Sequence, residues 1–74
     1  MKIVEIAYNR WKIYDTDCTL QQIAITDYRN MSNNVLYWRV SVTSFNGKYI
    51  SIKDFLDEES ARKFVISFLQ LLQN

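Results

Sequence analysis

The chain has 74 residues, of which 49% are hydrophobic, so it has enough apolar material for one small domain and too little for two. Nine Lys and Arg residues against eight Asp and Glu residues give a net charge of +1, which argues against a strongly basic nucleic-acid-binding chain and against an acidic mimic of nucleic acid. The chain has no histidine and one cysteine, Cys18, so an internal disulfide is excluded and the commonest general base is absent.

The first segment alternates like a β-strand, but its apolar residues change parity. They are even-numbered at first and then odd-numbered: Val4, Ile6 and Tyr8, followed by Trp11 and Ile13. Either one long strand carries a bulge at Asn9–Arg10, or these two residues form a tight turn between two short strands. Arginine is a poor second residue for a type I′ turn, so the sequence favours the bulge.

Three further strands are predicted, over Leu20–Arg29, Val35–Phe45 and Tyr49–Lys53. The last two form a hairpin around Asn46–Gly47. A two-residue turn would place Val42 opposite Ser51 and spoil the apolar face. A three-residue loop, Phe45–Gly47 with a left-handed Gly47, places Val42 opposite Ile50 and Val40 opposite Ile52, and is preferred.

The C-terminal segment is typical of an amphipathic helix. Asp57 is a suitable N-cap, and two pairs at i, i+4 support the first turns: Glu58 with Arg62, and Glu59 with Lys63. The apolar side chains fall on one broad arc: Ala61, Phe64, Val65, Phe68, Leu69, Leu71 and Leu72. Ile66 falls among the polar residues.

These elements predict an α+β fold of order β-β-β-β-α: a four-stranded antiparallel sheet with one C-terminal amphipathic helix on one face. We expect a single domain over 1–74, with the sheet over about 2–54 and the helix over about 58–73. The side chains expected to face the helix are Val4, Ile6, Tyr8, Trp11, Ile13, Ile23, Ile25, Leu36, Trp38, Val40, Val42, Ile50 and Ile52.

Catalytic signals are weak. Cys18 has no histidine to deprotonate it, and its neighbours Asp15 and Asp17 would raise a thiol pKa. Those two carboxylates are too few for a cation site, and helix capping explains the acidic residues near Asp57. One glycine cannot build a phosphate-binding loop. We therefore expect no enzyme, no catalytic residue, no metal and no cofactor.

The face of the sheet opposite the helix is the candidate partner-binding surface. We expect it to carry four cations and four tyrosines: Arg10, Lys12, Tyr14, Tyr28, Tyr37, Arg39, Tyr49 and Lys53. Such a set fits an ordinary half-exposed sheet, a protein-binding hot spot rich in Tyr and Arg, or a single-strand binder that stacks bases on aromatics. The net charge of +1 weakens the last of these.

The element order resembles that of single-strand-binding coactivators and Pur-type repeats, and the size and order are also similar to those of small phage inhibitors such as anti-CRISPR proteins. Ile, Asn, Lys, Tyr and Phe total 28 residues, and Gly, Ala, Pro and Arg total 8, a balance typical of an AT-rich genome. The leading hypothesis is a non-enzymatic inhibitor from a phage or mobile element that occludes a surface of a host protein or protein complex. The alternative is a single-stranded DNA or RNA binder using the same face.

Two further expectations concern assembly and location. A four-stranded sheet has two open edges, so a homodimer through an edge strand or a sheet face is a further hypothesis. No apolar run approaches the roughly 18 residues that a membrane-spanning helix needs, and Glu5 interrupts any signal-peptide core. With its unpaired cysteine, the chain is expected to work in the cytoplasm, that of the host cell if a phage encodes it.

Overall fold

The structure, a computed structural model, describes residues 1–14, 20–44 and 46–73. Its elements are β1 Lys2–Ala7, β2 Arg10–Tyr14, β3 Leu20–Arg29, β4 Val35–Ser44, β5 Tyr49–Phe55 and α1 Glu58–Gln73. The strands form one antiparallel sheet in the order β1-β2-β3-β4-β5, and α1 packs on one face. The predicted α+β fold with a C-terminal helix is confirmed, with five strands instead of four.

The extra strand arises at the parity change, where the predicted bulge at Asn9–Arg10 is wrong. Ala7 pairs with Arg10, so Tyr8 and Asn9 form a two-residue turn between β1 and β2. Asn9 has φ 60°, a left-handed conformation that asparagine tolerates better than most residues. A bulge does exist, but it lies at Ile6, which has no partner between Glu5 and Ala7.

This register corrects the predicted side of Val4. Val4 pairs with Lys12, whereas Ile3 pairs with Ile13 and Glu5 pairs with Trp11. Because directly paired residues project to the same face of a sheet, Val4 lies on the side opposite the helix. Ile3, which is not in the predicted helix-facing set, packs against the core.

The hairpin of β4 and β5 confirms most of its predicted register. Val42 pairs with Ile50, the Ser44 amide donates to the Lys48 carbonyl at 2.9 Å, and Gly47 is left-handed with φ 81°. Phe45, in the same loop, lies outside the described residues. Val40 pairs with Lys53 and not with Ile52, because Ile52 is an extra residue that forms a bulge.

The core lies between the sheet and α1. Its buried apolar residues are Trp11, Ile13, Ile23, Ile25, Val40, Val42, Ala61 and Val65. Six residues expected to be buried are exposed instead: Ile6, Tyr8, Leu36, Ile50, Ile52 and Leu71. Ile6 is the bulge residue of β1, and Tyr8 lies in the turn between β1 and β2. Leu36 and Ile52 are bulge residues, Ile50 lies on the edge strand, and Leu71 lies in the last turn of the helix. Ile66 is exposed, as predicted.

The start of α1 is capped as predicted. An Asp57 carboxylate oxygen accepts the Ser60 amide at 2.8 Å, and this backbone hydrogen bond lowers the pKa of Asp57. Lys63 and Glu59 form their expected pair at 3.3 Å. The predicted pair of Glu58 and Arg62 does not form, because both side chains form hydrogen bonds with the β1–β2 turn instead. No helix in the described part of the chain is long and apolar enough to cross a membrane.

Candidate binding face

The face of the sheet opposite α1, here called the open face, is defined by the strand register. Its side chains are Lys2 and Val4 on β1; Arg10, Lys12 and Tyr14 on β2; Gln22, Ala24, Thr26 and Tyr28 on β3; Tyr37, Arg39, Ser41 and Thr43 on β4; and Tyr49, Ser51 and Asp54 on β5. Seven of the eight predicted site residues lie on it.

Lys53 is the exception, and the bulge at Ile52 is the reason. An extra residue shifts the alternation of β5 by one, so Lys53 joins Val40 on the helix side and Asp54 takes the position on the open face. The Lys53 ammonium lies 5.3 Å from the ring centre of Phe55 and 5.9 Å from that of Phe64. The placement of Lys53 on the open face is therefore wrong.

Four residues at one end of the open face, Tyr28, Tyr37, Arg39 and Asp54, form what we call the tyrosine–arginine cluster. The rings of Tyr28 and Tyr37, which are directly paired, stack with centres 4.9 Å apart and planes 13° apart. The Arg39 guanidinium carbon lies 4.9 Å from the centre of the Tyr28 ring and 5.2 Å from that of Tyr37. Strand pairing has already brought these groups together before any partner binds.

Asp54 completes the cluster with a bidentate ion pair. The Arg39 Nε donates to Oδ1 of Asp54 at 2.8 Å, and Nη2 donates to Oδ2 at 3.1 Å. These hydrogen bonds raise the pKa of Arg39 above its usual range and lower that of Asp54. Both groups therefore stay charged at neutral pH, and the carboxylate and two rings fix the orientation of the guanidinium.

The middle of the open face carries small side chains. Ala24, Ser41 and Ser51 lie side by side on three neighbouring strands, with Arg10 at the end of the row. Ser41 is only 1% exposed, so its larger neighbours cover it. The row separates the tyrosine–arginine cluster from the opposite end of the face.

At that opposite end, Lys2, Arg10, Lys12 and Tyr14 form what we call the basic strip. All four residues are exposed, and the Lys12 ammonium lies 5.2 Å from the centre of the Tyr14 ring. None of the three cations forms an ion pair with a described residue. Lys2 is not among the predicted site residues, because only the turn at Tyr8–Asn9 brings it opposite Tyr14.

A second arginine cluster, on the helix side, joins the β1–β2 turn to α1. Tyr8 donates from its hydroxyl to Glu58 at 2.8 Å, and the side-chain amide of Asn9 donates to Glu58 at 3.0 Å. Arg62 donates to the side-chain oxygen of Asn9 and lies 3.6 Å from Glu5. The hydrogen bond to Glu58 raises the pKa of Tyr8. We call these five residues, with Trp11, the turn–helix cluster.

Arg62 also stacks on aromatic rings. Its guanidinium carbon lies 5.4 Å from the ring centres of both Tyr8 and Trp11. Asn9 is only 5% exposed, so the cluster is partly enclosed. No local pattern in the sequence predicts this cluster, because its members come from opposite ends of the chain. The cluster connects the helix to the sheet.

The described residues contain no group of three or more His, Cys, Asp and Glu side chains that could hold a metal ion. Asp15 and Asp17, the weak candidates for metal binding, and Cys18, the weak candidate for a reactive thiol, lie outside the described residues.

Comparison with known proteins gave no relative. No protein-family model, curated protein or solved structure matches the chain.

Proposed function

We propose that the chain is a non-enzymatic binding protein that covers a surface of another protein with its open face. The observation that carries this proposal is the tyrosine–arginine cluster. Tyrosine and arginine are enriched among the residues that dominate protein-binding energies. Here Tyr28, Tyr37 and Arg39 already hold one another in place, so binding immobilises few side chains and loses little conformational entropy.

The size of the open face suits this role. Five strands at a spacing of ~4.8 Å make the sheet roughly 20 Å wide, and its central strands are roughly 30 Å long. These dimensions enclose roughly 600 Å², which approaches the roughly 800 Å² that each partner buries in a standard protein interface.

An inhibitor from a phage or mobile element is the class of binding protein that we favour. The small size and the AT-rich residue usage support it, since such an inhibitor needs no catalytic centre and works by occluding a surface of a host protein. The open face offers one continuous surface for that purpose.

The basic strip supports a second candidate function, the binding of single-stranded DNA or RNA. Lys2, Arg10 and Lys12 lie together and are exposed, as phosphate contacts require. The tyrosine–arginine cluster favours the protein partner instead, because Asp54 already neutralises Arg39 and the two tyrosines stack on each other.

The test compares the host proteins that wild type, one open-face variant and one control variant capture from a lysate. Wild type, Arg39→Ala and the control Lys63→Ala are immobilised and exposed to lysate of a bacterium with an AT-rich genome, and bound proteins are quantified by mass spectrometry. Lys63 is a control because its side chain is 75% exposed on the helix. We expect one host protein to be retained by wild type and Lys63→Ala and to be lost from Arg39→Ala.

The purified partner is then titrated against the same three proteins. Arg39→Ala should weaken binding by roughly 30-fold, mainly through faster dissociation. Equal affinity of Arg39→Ala and wild type would contradict the proposal. Tight binding of an oligonucleotide, with a log–log salt slope of about −2, would support the second candidate.

A further inference from the structure

The two ends of the open face differ in how their charges are satisfied. At one end Arg39 already has a carboxylate, that of Asp54, at 2.8 Å. At the other end, the basic strip has no described acidic neighbour on its own face, because Glu5, the acidic residue of β1, projects to the helix side and lies 3.6 Å from Arg62. Among the described residues, the positive charge of the strip is therefore unpaired and accessible to a partner.

We propose that the basic strip receives a carboxylate-rich extended segment of the partner protein. This inference rests on the proposed function and names the chemistry of the partner at one end of the open face. The other end, the tyrosine–arginine cluster, contributes a rigid contact of neutral net charge.

The spacing of the strip matches such a segment. Arg10, Lys12 and Tyr14 lie on one face of β2, and Lys2 lies opposite Tyr14. Same-face residues on a strand are about 6.8 Å apart, so the strip presents positive charge over roughly 14 Å. Carboxylates at alternate positions of an extended chain have the same spacing. The Arg10 guanidinium can bind one of them through two parallel hydrogen bonds.

The surroundings of the strip favour a polypeptide over a nucleic acid. Val4 lies opposite Lys12 and offers an apolar contact between the cations, which suits the alternate side chains of a peptide. Bases need open aromatic faces, but the tyrosine of the strip, Tyr14, has the Lys12 ammonium 5.2 Å from its ring centre.

The experiment uses the full chain and three labelled probes. The first is a peptide of about eight residues that alternates glutamate with threonine, and the second replaces each glutamate by glutamine. The third is an oligothymidylate of about 20 nucleotides. Binding is measured by fluorescence anisotropy in about 50 mM NaCl, where screening between exposed charges is moderate.

Two double variants with equal loss of charge separate the strip from net charge. Arg10→Gln/Lys12→Gln removes two cations of the strip, and Lys48→Gln/Lys63→Gln removes two exposed cations elsewhere. All four positions are exposed, so both variants should unfold at nearly the wild-type temperature, which a thermal melt checks.

We expect the glutamate peptide to bind wild type and Lys48→Gln/Lys63→Gln alike, and to bind Arg10→Gln/Lys12→Gln at least about tenfold more weakly. The glutamine peptide should bind none of them. Equal binding of the glutamate peptide to the two double variants, or no binding at about 200 µM protein, would overturn the inference. So would oligothymidylate binding that is tighter than peptide binding and depends on Arg10 and Lys12.

The same variants separate this inference from the proposed function. If the captured partner is lost from Arg39→Ala but binds Arg10→Gln/Lys12→Gln as it binds wild type, the inference fails and the proposed function stands. If Arg39→Ala retains the partner, the proposed function fails, whatever the peptide does.

Discussion

Arg62 and Arg39 have nearly the same surroundings but belong to different parts of the fold. Each guanidinium lies within 5.4 Å of two aromatic ring centres, and each has a carboxylate within 3.6 Å. Arg62 joins α1 to the β1–β2 turn, elements that are about 50 residues apart in the chain. Arg39 joins β3, β4 and β5, which backbone hydrogen bonds already connect.

The same combination of an arginine, a carboxylate and two aromatic rings thus has two roles. In the turn–helix cluster it stabilises the fold, and in the tyrosine–arginine cluster it has the proposed role of binding a partner. Without the turn–helix cluster, the described contacts of Asn9, Glu58 and Arg62 between α1 and the turn are lost. Without the tyrosine–arginine cluster, the strand ladder persists. We therefore expect changes in the first cluster to reduce stability and changes in the second to reduce partner binding.

The largest effect on stability is expected from Asn9→Ala. This change removes the side chain that bridges Glu58 and Arg62 and places alanine in a left-handed conformation. We expect the free energy of unfolding to fall by about 2–4 kcal/mol, which urea denaturation measures. Asn9→Gly keeps the backbone conformation and should lose less. A loss below about 0.5 kcal/mol for Asn9→Ala would show that the cluster does not hold the helix.

Arg39→Ala should reduce stability less than Asn9→Ala, because the half-buried Arg39 links strands that are already paired. Urea denaturation of the two variants side by side tests this order, and near-ultraviolet circular dichroism reports whether the Tyr28–Tyr37 stack persists. A loss of stability from Arg39→Ala that equals or exceeds that from Asn9→Ala would contradict the division of roles.

Acid should weaken both the sheet and the helix cap. Hydrogen bonds to Arg29, Arg39 and Ser60 lower the pKa values of Asp27, Asp54 and Asp57, respectively. Their contribution to stability is present above their unfolded pKa of about 3.9 and is lost as the pH falls through the lower folded values. Urea midpoints should therefore fall steadily below about pH 4. Asp54→Asn should show a shallower fall, and a wild-type midpoint that does not change with acid would contradict the assignment.

The smallest effect is expected from Lys63→Ala. Lys63 and Glu59 form an ion pair whose side chains are 75% and 78% exposed. Water and salt screen such pairs, so the free energy of unfolding should change by no more than about 0.5 kcal/mol. A larger loss would mean that the helix depends on its surface charges and not only on its buried face.

The sequence predicted those elements whose signals are local. The cap at Asp57, the apolar arc of the helix and the left-handed Gly47 all depend on residues within a few positions of one another, and each is present. The turn between β1 and β2 is the alternative that the sequence favours less, and it lies at Tyr8–Asn9 instead of Asn9–Arg10, because distant contacts stabilise it. Glu58 and Arg62 bind Asn9, and the Ile25 amide donates to the Asn9 carbonyl at 2.9 Å.

The sequence predicted which side chains share the open face, but not which of them form ion pairs with one another. Alternation alone placed Tyr28, Tyr37 and Arg39 together. The partner of Arg39 depended on a bulge at Ile52 that nothing in the local sequence marks, and that bulge exchanged the sides of Lys53 and Asp54. A shift of one residue thus replaced an expected cation by the carboxylate that orients Arg39.

The order of the strands also bears on how the chain folds. Each strand pairs with the strand just before it, so the sheet can form by successive short loop closures, which favours rapid folding. The helix follows all five strands, and until it docks, the apolar side chains of Trp11, Ile23 and Val40 face water. On the ribosome the sheet emerges before the helix that covers it. A chain truncated before residue 58 would expose that surface and self-associate.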